Sequence, residues 1–306
     1  MDAVLQALVY FDLFKHPLRE DEVHHFAPYK TLSMEVCKTA IEWLVKNNLA
    51  YHIDGYYTLV NDPERIKRRL KGKERADAVI EKAKQCGKTI HRFPFVRGVM
   101  ISGSLSKGYA DDTTDFDFFI VTHHNRLWIS RFLLTMWRKT LRKEERKNYC
   151  FNYFIADDNL FIPDHNIFTA VELTTLLPIA GITLAEKLVS SNTWAREILP
   201  NKAVHLDLSL CEAETKLRPS FTERLLKGTL GDWLDKLFFN IMSTWWRRKY
   251  AGYDNFELNF RSGKSVSKQH EKAFQDKVLK RFEERWNEMQ SKLKKVKNNA
   301  PNTANA

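Results

Sequence analysis

Cysteine, glycine and proline are all scarce in this chain: 4, 11 and 9 of 306 residues. So little Gly and Pro excludes a collagen-like or low-complexity polymer. Cys37, Cys86, Cys150 and Cys211 are scattered without the spacing of a zinc site or a disulfide framework, which suits reduced thiols in a cytoplasmic protein. No stretch approaches the ~20 apolar residues of a membrane span. The opening Met-Asp-Ala-Val lacks the basic-then-apolar layout of a signal peptide. Acidic residues are also in deficit, 38 against 49 Lys and Arg, for a net charge of +11. From Cys211 onward there are 20 Lys/Arg against 12 Asp/Glu, so most of the excess lies in the last third. That imbalance suits a polyanionic partner (a nucleotide, a nucleic acid or an acidic membrane surface), and it equally suits solvated helix faces. What is present is apolar material for two or three modules, at 43% hydrophobic and 12% aromatic residues.

The first 62 residues read as one module. Leu5, Leu8, Val9 and Leu13 recur at helical spacing until His16-Pro17 breaks the run. A second short helix follows over 19–26, and Ser33 caps a third with Val36, Cys37, Ala40, Ile41 and Leu44 inward. Residues 49–60 alternate on either side of Asp54-Gly55, a hairpin turn. Three helices and a hairpin resemble a winged helix-turn-helix domain. Its groove-entering helix exposes Glu35, Lys38, Thr39, Glu42 and Lys46, with no arginine to read guanine edges, which favours protein docking over DNA reading. A connecting helix over 63–94 starts at Asp62-Pro63, and its Arg65, Lys67, Arg68, Arg69, Lys71 and Lys73 read as a solvated basic face.

The densest chemistry lies between residues 97 and 155. Val-Met-Ile-Ser over 99–102 reads as a strand and Gly103-Ser104 as the bend that ends it. Asp115-Phe-Asp117 then opens a second apolar strand. Alternation sends Asp115 and Asp117 to one face and Phe116 and Phe118 to the other. Carboxylates two residues apart on a strand lie about 6–7 Å from each other and can share a hard divalent cation. Gly103 lets backbone approach a phosphate, while the Ser104 hydroxyl and nearby amides can hold its oxygens.

An apolar strand, Gly-Ser, a gap, then Asp-x-Asp in a second apolar strand resembles the nucleotidyltransferase superfamily with its polymerase-β-like fold. The resemblance covers about residues 97–155. It implies a nucleoside triphosphate substrate whose phosphates rest on Gly103 and Ser104, with Mg²⁺ (or Mn²⁺) held by Asp115 and Asp117. Members of that superfamily usually carry a third carboxylate on a later strand, and that position falls on Asn152. Asparagine lends a metal one oxygen but is no general base. Asp157 and Asp158 lie roughly 15–20 Å further along an extended chain. Catalysis by two carboxylates and nucleotide binding without turnover both remain open. Lys107 and Arg131 are candidate cations for steadying phosphate charge, as is Arg126. His123 and His124 follow the strand as candidate cleft residues.

Residues 166–297 read as helical, with Pro178 between two helices and a loop over 251–265. Arg261, Lys264, Lys268 and His270 gather positive donors where that loop runs into a helix at about Ser267, a place that favours anions. Trp245-Trp246-Arg247-Arg248-Lys249-Tyr250 fits a helical core with outward cations, an interfacial anchor or a base-stacking platform. The tail, 298–306, is polar and reads as disordered. The expected fold is α+β: a winged-helix-like domain (1–62), the connecting helix (63–94), a nucleotidyltransferase core (95–165) and a helical domain (166–297). The expected activity is Mg²⁺-dependent transfer of a nucleoside monophosphate to an unidentified hydroxyl acceptor. The rivals are a nucleotide-binding regulator with a DNA- or protein-binding winged helix, and an antitoxin-type minimal nucleotidyltransferase that adenylylates a partner toxin.

Overall fold

A computed structural model describes residues 1–202, 206–211, 220–252, 256–269 and 274–299. Helix α1 (Asp2–Asp12) buries eight of its eleven residues, so it lies inside the molecule rather than on its surface. Helix α2 (Glu20–Phe26) and helix α3 (Met34–Lys46) follow, the latter started by Ser33, whose hydroxyl accepts from Val36 N at 3.2 Å. The inner stripe of α3 begins at Cys37, because Val36 is 53% exposed rather than inward. Strands β1 (Tyr51–Ile53) and β2 (Tyr56–Thr58) form the expected hairpin. Asp54 and Gly55 both have positive φ, 49° and 80°, as a two-residue turn matching strand twist requires.

Helix α4 (Pro63–His91) starts where Asp62 accepts from Glu64 N at 3.1 Å. In its basic first half Lys67, Lys71 and Lys73 are exposed as expected, but the arginines depart from a solvated face. Arg65 pairs with Asp12, Arg69 with Glu22 at 2.6 Å, and Arg68 donates to the Phe14 carbonyl at 2.9 Å. The Arg65 and Arg69 side chains are only 14% and 12% exposed. These arginines staple α4 to the N-terminal helices, and that staple sets where α1 meets the sheet.

The main sheet grows from strands β3 (Val96–Ser102) and β4 (Asp117–Thr122), antiparallel with Ser102 opposite Asp117. Helix α5 (Leu127–Thr140) crosses over to strand β5 (Cys150–Ala156), which is parallel to β4. Helix α6 (Ile167–Thr174) leads to strand β6 (Leu177–Ala180), and helices α7 (Ile182–Ser191) and α8 (Trp194–Ile198) follow. Beyond them lie α9 (Phe221–Leu225), α10 (Thr229–Lys249), α11 (Phe256–Phe260), strand β7 (Val266–Lys268) and α12 (Phe274–Asn299). The five strands run in the order β6-β3-β4-β5-β7. The stretch expected to be wholly helical therefore supplies both edges of the sheet. Pro178 sits inside β6, tolerable there because an edge strand need not donate on its open side. Ser267 does not open a helix: it lies in β7, paired with Phe154. His270 and residues 300–306 of the tail lie outside the described residues, and α12 runs to Asn299.

Strand alternation gives the sheet two apolar faces. Val99, Ile101, Phe118, Ile120 and Phe154 pack with α4, α5 and α10. Met100, Phe119, Val121, Tyr153 and Ile155 belong to a second core that runs through α6 to α8, α12 and the N-terminal helices. Each fully buried Phe or Ile contributes about 1.5–3 kcal/mol. Asp117 shares the parity of Phe119 and Val121, so it faces the second layer, toward α6 and α1.

Candidate functional site

Gly103 ends β3 with φ +68°, a conformation open to glycine at little cost. A Cβ there would stand 2.1 Å from Asp117 Oδ2, so backbone and carboxylate are in direct contact. Asn152 reaches across from β5 and donates to Asp117 Oδ1 at 2.6 Å, and Cys150 Sγ donates in turn to Asn152 Oδ1 at 3.2 Å. Glu172 comes from α6. Its carboxylate accepts from Gly103 N at 3.2 Å and from Lys107 Nζ at 2.9 Å. Lys107 also donates to the Gly103 carbonyl at 2.8 Å. Burial and then the Glu172 charge, with a smaller push from Asp115, raise the Asp117 carboxyl to about 7.

Gly103, Lys107, Asp117 and Glu172 line one side of a cavity of about 650 Å³, a size suited to a small-molecule ligand. The opposite side comes from α1, the segment that follows it, and α4: Tyr10, Phe11, Phe14, His16 and Arg68, with Phe274 of α12. His16 is held neutral, its pKa lowered to about 4 by burial and then by the nearby Arg69. Arg68 stacks 4.6 Å over the Tyr109 ring at the rim. One pocket thus offers a bend of backbone, carboxylates, cations and aromatic faces.

Of the residues expected in the site, Gly103, Ser104, Lys107, Asp117 and Asn152 come together. Asp115 precedes β4 and is exposed, and its charge acts on Asp117. Arg131 is corrected outright. It is 2% exposed, sandwiched between Phe154 and Trp246 at 4.7 and 4.5 Å, and donates to the Ser267 carbonyl and Gln269. Arg126 is likewise occupied, clamping the Leu226 and Lys227 carbonyls at 2.8 Å each. His123 and His124 follow the far end of β4, opposite Asp117, where His124 meets Asp157 at 3.0 Å. Arg261 and Lys268 are consumed by Asp164, at 2.8 Å each.

Glu172 and the aromatic wall escaped the sequence reading. The signal for Glu172 was there: one acid inside Ile-Phe-Thr-Ala-Val-Glu-Leu-Thr, a helix otherwise nearly all buried. The wall had no such signal, because α1 reads as ordinary core. Among the described residues no group of three or more His, Cys, Asp and Glu side chains is gathered as a metal cage. The acids present are all carboxylates around a raised Asp117, a donor set that fits a hard divalent cation by its oxygens and its excess negative charge.

The chain matches no family model, and no curated protein or solved structure matches it.

The contact between Gly103 and Asp117 makes a direct prediction. Gly103→Ala should lose about 2–4 kcal/mol of stability, from left-handed strain plus overpacking against the carboxylate. Urea unfolding should show it, and an alanine variant as stable as the parent would mean that the bend and Asp117 are not in contact.

Proposed function

We propose that the protein is a nucleotidyltransferase of polymerase-β-like architecture, taking a nucleoside triphosphate into the cavity between the sheet and α1. The observation that carries this is the contact of Gly103 with Asp117 at the lip of a cavity that also holds Lys107, Glu172 and Arg68. A phosphate oxygen would use the donors that Glu172 now occupies, Gly103 N and Lys107 Nζ. Asp117, together with Glu172 or Asp115, is the carboxylate set that would hold Mg²⁺ or Mn²⁺. Bound there, the cation supplies charge neutralisation and orientation of the phosphates.

The chain's own groups divide the remaining tasks. Asn152 fixes the rotamer of Asp117 through its amide and adds no charge. Glu172, on a helix, is the acid whose charge acts most strongly on Asp117, which supports it in the role that a third strand carboxylate would otherwise fill. In the transfer, the acceptor oxygen bonds to the α-phosphorus while the bond to the β-phosphate bridging oxygen breaks. Pyrophosphate leaves with the electron pair, and the hydroxyl proton passes to a site carboxylate. Fixed cations and positioning supply most of the acceleration in such chemistry. Helix α1 and the segment after it, which open the winged-helix-like order of three helices and a hairpin, serve in this reading as a wall of the substrate cavity rather than as part of a separate DNA reader.

Labelled triphosphates, Mg²⁺ and cell extract test the reading. Label moved to a macromolecule or metabolite by the parent protein, and not by Asp117→Ala, is the expected result. Nucleotide bound but never transferred in any fraction would replace the enzyme with a nucleotide-binding regulator.

A further inference from the structure

Helix α10 is apolar on more than one side. Inward, Trp246 is buried and Phe238, Phe239 and Met242 pack against the core. Outward, Leu230, Trp233, Ile241 and Trp245 are 50%, 60%, 52% and 54% exposed. With Leu237 between them, these residues recur every three or four positions and make one stripe about 22 Å long. Phe221 and Leu225 of the preceding α9 extend the apolar surface, at 81% and 60% exposed.

Polar clamps hold this orientation. Asp235 Oδ1 accepts from the Trp128 and Ile129 amides at 2.9 and 3.0 Å, capping α5 from outside. Arg126 grips the chain between α9 and α10 and pairs with Asp232. Glu223 ties α9 to Arg97 at 2.9 Å. The stripe is therefore presented by a fixed scaffold and is not a frayed core.

The charges around the stripe have one free sign. Arg224, Lys227, Lys236, Arg247, Arg248 and Lys249 are all exposed, and Lys249 lies 4.9 Å over the Trp245 ring. The acids on the same helices, Glu223, Asp232 and Asp235, are committed to the clamps. A second copy of the chain, meeting this face by a two-fold axis, would set cation against cation. Two tryptophans on an apolar stripe with a lysine and arginine rim are the chemistry of a bilayer interface carrying anionic headgroups. No helix of the described residues is long and apolar enough to cross a membrane, so the helix would lie on the surface.

We propose that α9 and α10 form a peripheral docking face for an anionic phospholipid bilayer, with Trp233, Ile241 and Trp245 entering the headgroup boundary and the basic rim meeting lipid phosphates. This proposal stands apart from the nucleotidyl-transfer reading.

Sedimentation of the full chain with vesicles tests it. Vesicles of phosphatidylcholine with phosphatidylglycerol should bind at least about tenfold more strongly than phosphatidylcholine alone, and the difference should collapse in high salt. Trp233→Ser/Trp245→Ser, and separately Arg247→Glu/Arg248→Glu, should each weaken binding about tenfold or more. Because these side chains are exposed, melting temperatures should hold. In the parent protein, brominated lipid should quench tryptophan fluorescence, a readout independent of any variant. The proposal falls if the anionic vesicles do not bind or do not quench. It falls equally if the tryptophan pair is dispensable, or if the face instead drives a concentration-dependent dimer that the serine variants dissolve.

Discussion

Asp117→Asn should stabilise the folded protein near pH 8 in metal-free buffer while reducing the proposed nucleotidyl transfer by about 1,000-fold or more. The Asp117 carboxyl is raised from 3.8 to about 7, so the folded state binds its proton more tightly than the unfolded chain does. Well below pH 3.8 both states are protonated and the group is neutral to stability. As pH rises toward 7 the unfolded chain ionises first, and the folded state bears a growing penalty that is complete above 7. A carboxyl held near 7 rather than 3.8 corresponds to roughly 4 kcal/mol at full strength. Water in the open cavity reduces this to about 2 kcal/mol. Asparagine removes the charge and leaves an oxygen for the Asn152 amide. Melting curves of parent and variant should therefore converge at about pH 3 and separate by a few degrees near pH 8. Millimolar Mg²⁺ should narrow the gap by stabilising the parent alone. A variant no more stable than the parent near pH 8 would remove the electrostatic basis of the site.

The second large effect lies in a structural ion cluster. Asp164 is 7% exposed and takes both Arg261 and Lys268, and Lys268 donates onward to Gln275 at 2.5 Å. Burial already lowers Lys268 to about 8, with Asp164 pulling the other way. Asp164→Ala leaves two cations without their anion in the layer joining β7, α6 and α12, and should cost about 3–5 kcal/mol in urea unfolding. Asp164→Ala/Lys268→Met should recover part of that loss, since an apolar side chain has no charge to desolvate. A loss below about 1 kcal/mol for the single variant would mean that water reaches the cluster. The same cluster takes two of the basic loop's donors, Arg261 and Lys268, away from any phosphate.

Much of the fold was legible because its signals are local. Asp62-Pro63, Ser33 and Asp54-Gly55 fix a helix start, a cap and a turn within four residues of chain, and alternation around Phe116, Phe118 and Ile120 assigns the faces of β4. Misreadings occurred where identity alone leaves the partner open. Arg131, Arg261 and Lys268 have the side chains of phosphate ligands, yet burial beside Trp246 or Asp164 turned each into structural mortar. Ser267 sits after a polar loop, as a helix cap would, but its partner was an edge of the sheet.

The sequence by itself determined the Gly103 bend, the acid opposite it and the two apolar strands that bring them together, since a strand–turn–strand contact spans few residues and needs no distant help. Only the tertiary structure decided that Glu172 completes the acidic face and that α1 closes the cavity. Glu172 lies 69 residues beyond Gly103, and α1 is drawn in by the arginines of α4. Such meetings depend on which helix layer covers which sheet face, an outcome of summed packing that no local pattern encodes.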